Sequence, residues 1–131
     1  MLKTIQQSVH FPASPAKLFQ IYIDPKKHAD MTGAPVTLQA KPGGKFKAFG
    51  GAISGTMLKI IPNKLIVQQW RSKMFYKTDL DSILILTFNA QGKGCRIDLV
   101  HANVPRQDFL GVTKGWPKYY WEPLRKYLKK R

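Results

Sequence analysis

Phe109-Leu-Gly-Val-Thr-Lys-Gly-Trp-Pro-Lys-Tyr-Tyr-Trp-Glu-Pro-Leu-Arg-Lys-Tyr-Leu128 fills most of the last quarter of the chain. At helical spacing Val112, Trp116, Tyr120, Leu124 and Tyr127 share one stripe, while Lys118, Glu122, Arg125, Lys126 and Lys129 fall mostly off it. The stretch reads as an amphipathic helix with heavy aromatics, and such a helix takes its stability from whatever its apolar face packs on. Pro117 suits a first turn, where its missing N–H costs nothing. Pro123 deprives the carbonyl of Tyr119 of its donor and predicts a kink.

What precedes the helix supplies its partner. Lys3 to Phe11 alternates, with Ile5, Gln7, Val9 and Phe11 on one face, and reads as a strand. Ser14-Pro15 and Asp24-Pro25 are two cap-then-proline signals, each opening a short helix, and the second helix ends near Thr32-Gly33. From Pro35 the period becomes two. Strands are expected at 36–40, 45–49, 53–61, 65–72, 83–88 and 96–104, separated by Gly and Pro turns such as Pro62-Asn63. Runs of strands joined by tight turns give an antiparallel meander. One face of that sheet must be covered, and only the C-terminal helix is long enough. An α+β fold follows: two short helices after strand 1, and a twisted sheet of six to seven strands curled around a long final helix.

With 131 residues the chain reads as one domain, 1–131. No apolar run is long enough for a membrane-spanning helix. No secretion signal is visible at the N-terminus, and a single cysteine, Cys95, excludes an internal disulfide. A cytoplasmic protein is the expectation. The net charge of +15, from 22 basic and 7 acidic residues, points to an acidic partner or to a solvated basic surface. The charge is spread along the chain apart from the Lys129-Lys130-Arg131 end, and no recognition helix, zinc finger or stacking platform is visible, so specific nucleic-acid binding is not expected.

Pro42-Gly43-Gly44-Lys-Phe46, Gly51-x-Ile53-x-Gly55, Pro62-x-x-Leu65-Ile66-Val67-x-x-Trp70 and Gly115-Trp116-x-x-Tyr119-Tyr120 run in order along nearly the whole chain. Together they resemble the C-terminal domain of the activator of the ninety-kilodalton heat-shock chaperone's ATPase, a family within the START-like, pollen-allergen-like (SRPBCC) superfamily. The resemblance implies the helix-grip fold, an internal cavity suited to a small apolar ligand, and the heat-shock chaperone as an acidic partner. Two-domain members carry a further N-terminal domain important for stimulating the chaperone, with no counterpart in this chain. The resemblance therefore implies chaperone contact rather than ATPase activation.

Candidate chemistry is sparse. His10, His28 and His101 are far apart, with no helical i, i+3 or i+4 pair and no cysteine partner, so no metal is expected. No Gly-Lys-Ser/Thr follows Gly43-Gly44 or Gly50-Gly51, so no phosphate loop is expected. No serine lies in a nucleophile elbow. No cofactor and no catalytic residue are assigned. The one polar set of interest is in the last strand, where Ile97, Leu99, His101 and Asn103 share a face by period two. Ile97 and Leu99 make that the core face, so His101 and Asn103 are expected to point inward. His101 is then a hydrogen-bonded core residue or the polar end of an apolar cavity. Trp70 and Trp116 read as core or cavity wall, Tyr120 as a wall whose hydroxyl needs a partner if buried, and Phe19, Ile53, Met57 and Ile85 as apolar walls.

The expected ligand contacts are thus Phe19, Ile53, Met57, Trp70, Ile85, Leu99, His101, Asn103, Trp116 and Tyr120. Three functions fit: a non-enzymatic domain holding a small apolar or amphipathic ligand under the helix, a co-chaperone module, and a cyclase- or hydrolase-type enzyme using His101. The third lacks a carboxylate partner, because Asp98 alternates to the other face.

Overall fold

The computed structural model describes residues 2–130, so Arg131 of the basic end lies outside the described residues. Strand β1 (Leu2–Phe11) leads into α1 (Pro15–Ile23) and α2 (Pro25–Thr32). Both helices start as their caps dictate. Ser14 Oγ accepts from the Lys17 N–H at 3.1 Å, and Asp24 Oδ1 from the Lys26 N–H at 2.9 Å. α2 stops at Gly33, whose φ of 78° is free only for glycine.

Six further strands follow: β2 (Val36–Leu38), β3 (Lys45–Ala48), β4 (Ile53–Ile61), β5 (Leu65–Ser72), β6 (Ser82–Gln91) and β7 (Gly94–Pro105). Every neighbouring pair is antiparallel, in the order β1-β7-β6-β5-β4-β3-β2. The first and last strands therefore lie side by side, and the short β2 forms the far edge.

The inward face of the sheet carries Ile5, Phe11, Phe46, Met57, Ile66, Trp70, Leu84, Leu86, Phe88, Ile97 and Leu99, all buried. Removing one such side chain from water contributes about 1.5–3 kcal/mol. Gln68 sits between Ile66 and Trp70 on this face, fully buried, because Tyr22 Oη donates to its Oε1 at 3.0 Å and its Nε2 donates to Met57 Sδ at 3.3 Å. The strand alternates cleanly, with one polar residue satisfied inside.

Two expected walls face away. In β6 the inward residues are Leu84, Leu86 and Phe88, and Ile85 lies on the outer face between Val67 and Val100. Four consecutive apolar residues carry no parity signal. The phase is set by the neighbours, which place Leu84 opposite His101 and Leu86 opposite Leu99. Asn103 points outward and is exposed. Its φ is 62°, and two residues of β7, Ala102 and Asn103, oppose Thr4 alone between the pairs Lys3–Val104 and Ile5–His101. This is a β-bulge with asparagine in the left-handed region. It swings Val104 inward, where it is fully buried.

The final helix is continuous but not uniform: α3 (Phe109–Trp116), a π-helical turn (Pro117–Trp121) and α4 (Glu122–Lys129). The N–H of Glu122 bonds to the carbonyl of Pro117, five residues back. Pro123 cannot donate, and the expected kink takes the form of this wide turn just ahead of it. The extra residue alters the face: Trp121, off the sequence stripe, is buried beside Tyr120. It stacks on Trp116 at 5.6 Å between ring centroids, and its Nε1–H donates to Gln7 Oε1 at 2.7 Å.

Candidate functional site

A groove of about 570 Å³ opens where the first turns of the C-terminal helix pass over the ends of β4 and β5. Trp70 and Trp116 form its inner wall, with ring centroids 6.3 Å apart, and Tyr120 packs on Trp116 at 4.7 Å. Phe49 closes one end, edge-on to Tyr119 and Tyr120 at 5.7 and 5.8 Å. Ala52 and Ile53 line the sheet side. On the helix side Gly111 and Gly115 present no side chain, and a Cβ on Gly115 would meet only the Tyr119 ring, at 3.6 Å. Ser72, Lys73, Met74 and Asp108 surround the mouth, where Met74 and Tyr119 are well exposed.

Of the ten expected contacts, Ile53, Trp70, Trp116 and Tyr120 border this groove. Phe19, Met57, Leu99 and His101 are packed in the core behind it. Phe19 meets Phe88 edge-on at 5.7 Å and does not line the groove. Ile85 and Asn103 lie on the outer surface. The space under the middle of the helix is thus filled by aromatic rings, and the void is displaced toward the helix start.

His101 is held by a chain of hydrogen bonds whose directions are all fixed. Trp116 Nε1–H can only donate, so His101 Nδ1 accepts, at 3.2 Å. His101 Nε2–H then donates to Ser82 Oγ at 2.8 Å, and Ser82 donates onward to the carbonyl of Trp70 at 2.6 Å. The ring is neutral. Burial lowers its pKa from 6.5 to about 3. Both nitrogens are engaged and the residue is fully buried, so it anchors Trp116 and Trp70 rather than exchanging protons with a ligand.

His28 was not singled out by sequence reasoning, although Met31 at i+3 marks an apolar face of α2. It is buried on the other side of the Trp116–Tyr120 pair. The carbonyl of Tyr22 can only accept, so His28 Nδ1–H donates to it at 2.9 Å, and Nε2 accepts from Tyr120 Oη at 2.8 Å. Burial lowers His28 to about 4 and pushes the Tyr120 and Tyr22 hydroxyls up. His10 lies elsewhere, its Nε2 3.1 Å from the carbonyl of Gln91. Among the described residues, no cluster of three or more His, Cys, Asp or Glu can hold a metal ion, and no helix is long and apolar enough to cross a membrane.

The family described as "Activator of Hsp90 ATPase homolog 1-like protein" matches residues 12–129. The chain belongs to that family. A human relative, activator of 90 kDa heat shock protein ATPase homolog 1, is 30% identical over 115 residues, covering 88% of this chain and 34% of its own length. A Dictyostelium discoideum homolog is 28% identical over 117 residues, covering 88% of this chain and 30% of its own length. The chain thus spans about a third of the length of the curated relatives it matches. Among solved structures, an HSP90 activator from Plasmodium falciparum superposes with a TM-score of 0.88 at 21% identity, over 96% of each chain. Ara h 8.0201 superposes with a TM-score of 0.80 at 14% identity, over the full length of both. These likenesses show the helix-grip fold.

Proposed function

We propose that this member of the family is a non-enzymatic binding domain that takes a small apolar or amphipathic molecule into the groove beside the start of its C-terminal helix. The observation that carries this reading is the aromatic-walled groove of about 570 Å³, within the range of small-molecule sites and built largely from rigid elements. The two glycines on the helix side keep it open. The core behind it is filled by the chain's own side chains, so folding does not depend on binding. Native mass spectrometry of protein purified from its source cells tests this. A bound small molecule is expected on the wild-type chain and is lost in Gly115→Leu, which fills the groove. Wild-type protein that is empty, and that takes up no apolar fluorescent probe, overturns the reading.

Family membership favours a second reading, contact with an Hsp90-type chaperone. The relatives named above are called activators of that chaperone's ATPase. Because the chain spans about a third of them, the proposal covers binding and not stimulation. The excess of basic residues suits an acidic partner in a reducing, cytosol-like compartment, where the free and buried Cys95 stays a thiol. A pull-down with purified chaperone, with ATPase rates at low and high salt, is the test. Retention that weakens as salt screens the charges is expected. No retention and no rate change at low salt rejects the idea.

A further inference from the structure

Asp108 borders the groove and is 8% exposed. One carboxylate oxygen is spoken for: Oδ2 accepts from Ser72 Oγ at 2.7 Å, and Ser72 Oγ accepts in turn from the Met74 N–H at 3.0 Å. The other oxygen, Oδ1, accepts no hydrogen bond among the described residues, and the side chain does not cap the helix it precedes. Oδ1 keeps contact with water at the groove, since among the described residues no buried side-chain oxygen lacks a hydrogen-bond partner. The chain has 22 lysines and arginines, yet among the described residues its ion pairs are Arg71–Asp81 and Arg96–Asp98, and none involves Asp108. The start of α3 stabilises a nearby anion in part, but supplies no hydrogen bond to Oδ1. Oδ1 is therefore an acceptor on the groove wall that a donor from outside can reach.

We infer that the groove selects amphiphiles carrying a protonated amine, the ammonium donating to Asp108 Oδ1 while the hydrocarbon lies along Trp70 and Trp116. This rests on the groove being a ligand site and adds the chemical class of its occupant. Three features agree. Ser72 fixes the carboxylate with one oxygen free, so the acceptor is in place before binding. The rings of Trp70 and Trp116 border the same groove and give the hydrocarbon an apolar wall. Gly111 leaves room beside the free oxygen: a Cβ there would sit 3.1 Å from Oδ1.

The test is a series of equal chain length, n-octylamine, n-octanol and octanoate, titrated against tryptophan fluorescence and followed by NMR. Wild type is expected to bind the amine about tenfold more tightly than the alcohol, because the ammonium adds an opposite charge to a bond the hydroxyl can also donate. In Asp108→Asn this preference disappears. Gly111→Ala, which keeps a helical backbone and crowds Oδ1, lowers the amine preference and serves if the Asn variant folds poorly. Equal affinity for amine and alcohol in wild type, a preference for octanoate that would place the anchor at Lys73, or an unchanged preference in both variants overturns the inference. Failure of all three probes to bind instead removes the groove itself as a ligand site.

Discussion

Tyr120 Oη stands 2.8 Å from His28 Nε2, and this contact ties the C-terminal helix to the helix pair that follows β1. On the far side of the same aromatic stack, Trp116 Nε1 stands 3.2 Å from His101 Nδ1. The two imidazoles are held in opposite tautomers, His28 protonated on Nδ1 and His101 on Nε2, because a carbonyl fixes one and an indole N–H fixes the other. Nitrogen-15 spectra of the side chains at pH 7 are expected to show one ring of each kind. Two rings of the same tautomer would contradict both hydrogen-bond chains.

Acid stability follows from the same pair. Each ring holds its proton more weakly folded than unfolded, with values of about 4 and about 3 against 6.5. Between 6.5 and those values the unfolded chain carries more protons, so stability is intact above pH 6.5 and falls as pH drops toward 4 and 3. For His28 alone the loss is on the order of 3 kcal/mol by pH 4. Urea midpoints from pH 7 to pH 4 should slope downward, and His28→Gln should flatten part of the slope. A variant whose slope equals that of wild type rules His28 out as a contributor.

Tyr120→Phe removes one hydroxyl and little volume. It leaves His28 Nε2 buried without a donor, which costs about 1–3 kcal/mol. Ser82→Ala strands His101 Nε2–H and the Trp70 carbonyl for a similar cost. Because the two relays share no hydrogen bond, the double variant should lose nearly the sum. Denaturation showing either single change to be neutral would mean that water or a neighbour replaces the lost partner.

Two glycines separate open space from close approach. A methyl on Gly55 would collide with the carbonyl of Gln69 and lie 2.7 Å from the Phe46 ring, so Gly55→Ala should cost about 3 kcal/mol or more. Gly115 is helical and meets only Tyr119, so Gly115→Ala should stabilise by about 0.5–1 kcal/mol while narrowing the groove. Thermal unfolding decides both, and a stabilised Gly55 variant or a badly destabilised Gly115 variant would show the packing at these points to be misjudged.

The order of elements was legible wherever local chemistry sets it. Ser14, Asp24 and Gly33 mark helix ends by hydrogen bonds and φ angles that depend on the residue itself. The misreadings lie where a choice is made elsewhere in the chain. Ile83 to Leu86 is apolar throughout, so only the register against β7 decides that Leu84 goes in and Ile85 goes out. Asn103 continued a parity that the bulge breaks, although an asparagine near a strand end is a residue that tolerates the left-handed region. Pro123 announced a disturbance in the helix but not its form. Trp121 entered the core because a π turn added a residue to the repeat, and no fixed-step stripe contains that. The sequence places a cavity between sheet and helix without saying where along the helix it opens, because the contacts that fill the space with Trp70, Trp116 and His101 join residues far apart in the chain.

The wide turn at Pro117–Trp121 acts as a change of phase within one helix. The segment before it faces the groove through Gly111, Val112, Gly115 and Trp116, Trp121 ends the turn inside the core, and the segment after it buries Leu124. The two halves are therefore separately adjustable. Substitutions ahead of the turn can reshape what the protein accepts without disturbing how the helix is moored, whereas deleting a single residue from the turn would rotate the mooring by about 100° and unseat it.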